Sequence, residues 1–209
     1  MSVETAHREF VPGTTGWTVD DLDDPEIERL WCLGRYEIVE GVLTQIAAAL
    51  FEGGSALQEL LFILRSHIGS SSSRGKLATE VDLVLGPRRL PTVDAVHLTR
   101  EDLQKQLVAH ASTGKRKQAT YGRILVPPTL VIESISLGHE AHDRETKRAW
   151  YAEAKIPNYW LLDAQQRTLE CLILDGPHYR IDQSGHDTAE VRPALFPNLV
   201  IPLGQLWAE

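Results

Sequence analysis

The chain has 209 residues, within the range of one domain and long enough to close a sizeable core. Its formal net charge of −8 argues against an extended basic surface for duplex nucleic acid, although a local basic face is compatible with an acidic whole. With 43% hydrophobic and 24% charged residues it reads as globular, and no apolar run approaches the roughly 18 residues of a membrane span.

The opening MSVETAHREF lacks the basic-then-apolar pattern of a secretion signal, so a cytoplasmic location is expected. Cys32 and Cys171 are too few for a metal cage or a disulfide framework; both are expected to be buried fillers in a reduced compartment. The first ~30 residues are polar and acidic, and DDPEIERL predicts a short helix. RYEIVEGVLTQIA alternates around Glu40-Gly41 and predicts a β-hairpin. Between Gly53 and Ile68, Leu57, Leu60, Leu61, Leu64 and Ile68 recur at helical spacing. GSSSSRG, from Gly69 to Gly75, reads as a surface loop.

Two strands are expected next, Ala78 to Leu85 and Thr92 to Leu98, then a short helix over REDLQKQL after Thr99. Ser112 to Arg123 reads as an exposed loop. The basic clusters Arg88-Arg89 and Lys115-Arg116-Lys117 read as solvated loops. Pro127-Pro128 announces a strand through LVIESIS, and Asp143 to Ala154 a helix that Asp143 caps and Pro157 ends. NYWLLD and Leu169 to Leu174 are strands, Gly176-Pro177 a turn, and the apolar tail packs back on the body. Strands followed by a helix crossing to another strand imply an α/β (α+β) fold, a mixed β-sheet flanked by helices.

Two acids sit where apolar residues are expected. Glu133 lies in the run Leu130 to Ile135, where burial is costly unless the carboxylate is paired or coordinated. Solvent exposure is the plain alternative, but Val131 and Ile135 would share its face. Asp94 is a second acid inside a strand, in TVDAVHL. If the two strands pair, the carboxylates could meet at ~5 Å and share a hard cation such as Mg²⁺. Asp82 is either a third ligand or the end of a hairpin strand. Lys147 lies one helical turn past Asp143, and an exposed i,i+4 pair is its plain reading. Its functional reading is to orient water or steady phosphate charge.

The block PPTLVIESISLGHEAHDRETKRAWYAEAKIPNYWLLD resembles the Uma-type restriction endonuclease family, in the PD-(D/E)XK nuclease superfamily. The resemblance is carried by Glu133, Ser136, Asp143, Lys147, Tyr151, Pro157, Tyr159 and Trp160 in order, by RYEIVEG, and by PTVDAVHLTRED. It covers roughly residues 35 to 180 of a single nuclease-like domain, with residues 1–30 an N-terminal extension. It implies a restriction endonuclease-like sheet with N-terminal hairpin additions. By the same resemblance, Asp94 and Glu133 bind Mg²⁺ or Mn²⁺, Lys147 is the site's lysine in place of Ile135, DNA is the substrate, and the protein is a homodimer. The chain departs from the pattern at Val93, at Thr129 where an Asp is usual, and in GHEAH. The alternative function is a catalytically degenerate nuclease fold serving as a nucleic-acid or protein interaction module. A lesser one is an unrelated metal site at His139, His142 and Asp143.

Overall fold

The structure, a computed structural model, describes residues 9–46, 51–69, 75–113, 120, 122–135 and 140–207. Its elements, in chain order, begin with a 3₁₀ turn, Val19–Asp23, and α1, Pro25–Cys32. The hairpin of β1 (Tyr36–Val39) and β2 (Val42–Gln45) follows, then α2 (Phe51–Gly69) and strands β3 (Lys76–Asp82) and β4 (Thr92–Leu98). After α3 (Arg100–Ser112) comes β5 (Leu130–Ser134). A π-helical segment, His142–Lys147, runs directly into α4 (Arg148–Glu153). The remainder is β6 (Asn158–Asp163), β7 (Thr168–Asp175), β8 (His178–His186), β9 (Glu190–Val191), β10 (Ile201–Pro202) and α5 (Leu203–Leu206).

Strands β3 to β8 form one six-stranded sheet in sequence order. The β5–β6 pair is parallel, as a strand–helix–strand crossover demands, and the other pairs are antiparallel. Both faces of the sheet are covered, which is why β5 is buried along its whole length. Leu130 and Ile132 pack with Ala56, Leu60 and Leu64 of α2, and with the tail residues Phe196, Leu199 and Ile201. Val131 and Ile135 join the opposite cluster with Tyr151, Tyr159 and Tyr179. Glu133 alternates onto this second face, so it is inside the protein. A third cluster joins Trp17, Leu22, Ile27 and Trp31 to Ile38 and Leu43 of the hairpin. Part of the N-terminal extension thus builds core of its own.

Local chemistry sets the element ends. Asp24 caps α1 through its bond from the Glu26 amide, with Pro25 at the first helical position. Gly41, at φ +82°, makes the hairpin turn, and a Cβ there would lie 2.6 Å from Arg88 Nε. Thr99 and Asp102 form a capping box on α3, which runs five residues beyond the expected REDLQKQL. Thr99→Ala is expected to cost about 1 kcal/mol, a fall in melting temperature of roughly 2–4 °C by calorimetry.

Three expectations are corrected. Cys171 is buried, but Cys32 is exposed, because α1 turns it outward while Trp31 faces the core. Asp143 makes no cap bond; the segment begins after Ala141, and the Asp143 side chain is turned inward. Of the Arg88-Arg89 cluster, Arg88 is exposed as expected, but Arg89 is half-buried and held in place. Arg88 donates to the Glu40 carbonyl, and Arg89 pairs with Glu40 and Glu153 while its guanidinium lies over Trp150. Lys115-Arg116-Lys117, Ser136 and His139 lie outside the described residues.

Candidate active site

The β4–β5 register pairs Ala95 with Ile132, and its next step sets Asp94 against Glu133. The Asp94 amide lies 3.4 Å from Glu133 Oε2, and the Ser134 amide donates to Asp94 Oδ2 at 2.8 Å. The two acids therefore lie side by side across neighbouring strands.

Lys147 reaches the same place from the crossover helix. Its Nζ is 3.2 Å from Glu133 Oε1, 3.1 Å from Glu37 Oε1 and 3.5 Å from Asp143 Oδ1. The i,i+4 pair expected on a solvent face exists, but it is buried; Lys147 is 7% and Asp143 8% exposed. The π-helical segment carries both groups inward, a use such wide turns often have at functional sites. Tyr151, one turn on, donates to Glu133 Oε1 at 2.5 Å.

Burial alone would pull the lysine toward neutrality. The carboxylates of Glu133, Glu37 and Asp143 outweigh it and hold the ammonium well above the ordinary lysine range. As an ammonium, Lys147 is shared among these three carboxylates. Glu37 feels burial in the opposite sense, yet Lys147 and His142 keep it charged. Burial raises Glu133 and Asp143 despite Lys147. Asp94 is pushed up to about 7, by burial first and the Glu133 charge second, against the Ser134 amide, Lys147 and Arg35. Arg35 Nη2 lies 3.9 Å from Asp94 Oδ1.

Glu37 is the residue that sequence reasoning missed. It is fully buried on β1, also meets His142 Nε2 at 3.2 Å, and accepts from the Thr92 amide at 3.2 Å. The signal was an acid between Tyr36 and Ile38 of a short strand, a position that reads as the polar face of a hairpin.

Asp82 is not brought to this cluster. Its Oδ2 accepts from Trp31 Nε1 at 2.8 Å and Arg123 Nε at 3.1 Å, and its Oδ1 from Thr92 Oγ1 at 2.8 Å. Arg123 in turn pairs with Glu28 at 2.7 Å. The third-ligand reading of Asp82 gives way to a structural one, a clamp between α1, β3 and the segment ahead of β5. Thr129, where an Asp is usual, donates to Asp102 Oδ2 at 2.5 Å. It therefore braces the α3 cap.

Asp94 and Ser134 open into a cleft of about 700 Å³, whose other wall is α2 with Leu57, Leu61, Phe62 and Arg65. Among the described residues no group of three or more His, Cys, Asp and Glu forms a ready metal cage. Two acids still suffice for Mg²⁺, which keeps several waters and takes one or two carboxylates. The chemistry of the donors fits such an ion. Burial holds Asp94, Glu133 and Asp143 above the ordinary carboxylate range, a shift that a bound cation would offset.

The six-stranded mixed sheet thus carries Asp94 and Glu133 on neighbouring strands, with Lys147 of the crossover helix beside them. The chain belongs to the family described as "Uma2: Putative restriction endonuclease", whose model matches residues 26–204. Among solved structures it is similar to one described as a "putative nuclease belonging to DUF820 from Anabaena variabilis ATCC 29413". That likeness has a TM-score of 0.62 and 14% identity over 82% of this chain and 89% of the other, and it shows the fold alone. No curated protein matches the chain. Among the described residues, no helix is long and apolar enough to cross a membrane.

Proposed function

We propose that the protein is a divalent-metal-dependent endonuclease that hydrolyses phosphodiester bonds in DNA. The observation that carries this reading is the buried Lys147 ammonium, held by Glu37, Glu133 and Asp143 beside Asp94 at the cleft wall. Asp94 and Glu133 would hold Mg²⁺ or Mn²⁺, an ion that supplies charge stabilisation at the phosphate and a more acidic water. Lys147 fixes Glu133 and directs positive charge toward the phosphate oxygens, where charge grows in the transition state. Tyr151 donates to the same Glu133 oxygen and holds that carboxylate in one orientation. Glu37 and His142 in turn position the lysine. A homodimer able to cut two strands belongs to the same reading.

One observation favours the degenerate alternative, in which the fold serves as an interaction module. Glu133 is 2% exposed and its Oε1 is already met by Lys147 and Tyr151. One assay separates the two. Purified protein is incubated with supercoiled plasmid and with single-stranded circles, with Mg²⁺, Mn²⁺ or EDTA, beside a Glu133→Ala control. The expected result is cation-dependent cleavage, reduced in the variant at least about a hundredfold. Equal cleavage by the variant would mean a contaminating nuclease, and no cleavage of either substrate with either ion would leave the module reading in its place.

A further inference from the structure

We infer that the cleft beside Asp94 takes an unpaired nucleic-acid strand, its bases stacking on Phe62 and its backbone following α2, in place of a continuous duplex. The inference rests on the nuclease reading for placing the scissile bond at Asp94.

The wall opposite Asp94 is one stripe of α2. Gly54, Gln58, Phe62 and Arg65 recur at near-helical spacing and all line the cleft. They cover roughly 16 Å at the helical rise of about 1.5 Å per residue. A Cβ on Gly54 would meet nothing within 4 Å, so this end of the stripe is open. Phe62 is 68% exposed, and among the described residues it is the one aromatic side chain so exposed; the others are aliphatic. A bare ring facing the catalytic acid is a stacking platform, flanked by an amide for base edges and a guanidinium for phosphate.

Charge counts against a duplex here. Among the described residues lining the cleft the one cation is Arg65, against Glu59, Glu80 and Asp94; Arg35 stands beside them, 3.6 Å from Glu80 and 3.9 Å from Asp94. Duplex DNA carries a charge every ~1.7 Å of its axis and is bound by neutralising many phosphates at once, which this wall does not do. Stacking is worth about 1–3 kcal/mol per base and adds to the phosphate contact that Arg65 offers an unpaired strand. In a duplex the base faces are already stacked on one another, so Phe62 has a partner only in an unpaired strand. The volume of about 700 Å³ matches small-ligand pockets of roughly 300–1,000 Å³ and holds individual nucleotide units.

The test is fluorescence anisotropy in EDTA, with a short labelled strand and a duplex of the same sequence. The strand is expected to bind at least about tenfold tighter than the duplex. Phe62→Ala is expected to weaken strand binding by about 5- to 100-fold, and Phe62→Trp to retain it. Circular dichroism and melting temperature should be unchanged, since the side chain is exposed. Equal or tighter duplex binding, a Phe62→Ala variant that holds the strand like the parent, or binding of neither probe would overturn the inference. Strand preference without cleavage on adding Mg²⁺ or Mn²⁺ would support it while sinking the nuclease reading. Cleavage of duplex with no strand preference would do the reverse.

Discussion

Replacing Lys147 with methionine is expected to lower the melting temperature by roughly 6–20 °C at neutral pH and to cut nuclease activity at least about a hundredfold. Methionine keeps most of the lysine's length and apolar volume but removes its charge. Glu37, Glu133 and Asp143, all at most 8% exposed, then face one another without their shared cation. Breaking a buried pair from one side typically costs about 3–5 kcal/mol, and each kcal/mol moves the melting temperature of a chain this size by about 2–4 °C. The loss should shrink as pH falls, because the orphaned carboxyls then take up protons. Adding Glu37→Gln to Lys147→Met should restore part of the stability and none of the activity, by calorimetry and plasmid cleavage respectively. A single variant as stable as the parent at neutral pH would remove the basis for placing the lysine at the centre of the cluster.

Asp94→Asn is expected to stabilise the metal-free protein at pH 8, to leave it unchanged near pH 4, and to abolish stabilisation by Mg²⁺. Folding raises the Asp94 carboxyl from 3.8 to about 7. Between those values the folded state holds more protons than the unfolded one. Metal-free stability therefore falls as pH rises through that window, and the penalty is complete above about 7. At about 1.4 kcal/mol per pH unit its ceiling is ~4 kcal/mol. A divalent ion on Asp94 and Glu133 reverses the effect, so the rise in melting temperature with Mg²⁺ should grow between pH 5 and 8. Melts with EDTA and with Mg²⁺ across that range check both statements. An Mg²⁺ effect that survives in Asp94→Asn would place the ion elsewhere.

The fold was largely legible in local pattern. Thr92 to Leu98 and Asn158 to Asp163 are strands with the expected bounds, and the helix between β5 and β6 implied the parallel pair that the sheet contains. Asp94 and Glu133 stood out because each is a charge in a segment otherwise suited to burial. What stayed hidden depends on contacts distant in sequence or on backbone irregularity. Glu37 alternates with Ile38 as any hairpin residue would, and it is buried only because the crossover helix lies over it. Asp143 resembled a helix cap because nothing in HDRETK announces a π-helical turn. Asp82 was compatible with ligation until Arg123, 41 residues later, and Trp31, 51 residues earlier, were seen to hold it.

On the nuclease reading, the arrangement around Lys147 also ties the proposed activity to completion of the fold. The ion pair between Lys147 and Glu37 joins the crossover helix to the N-terminal hairpin, and His142 meets the same acid across 105 positions of chain. Contacts of such separation close late, because the entropy of ordering the intervening chain must be met before they form. Neither a nascent chain lacking the crossover helix nor a proteolytic fragment lacking the hairpin holds the lysine in place. On the nuclease reading, the proposed centre therefore needs both the hairpin and the crossover helix, and neither part carries it alone.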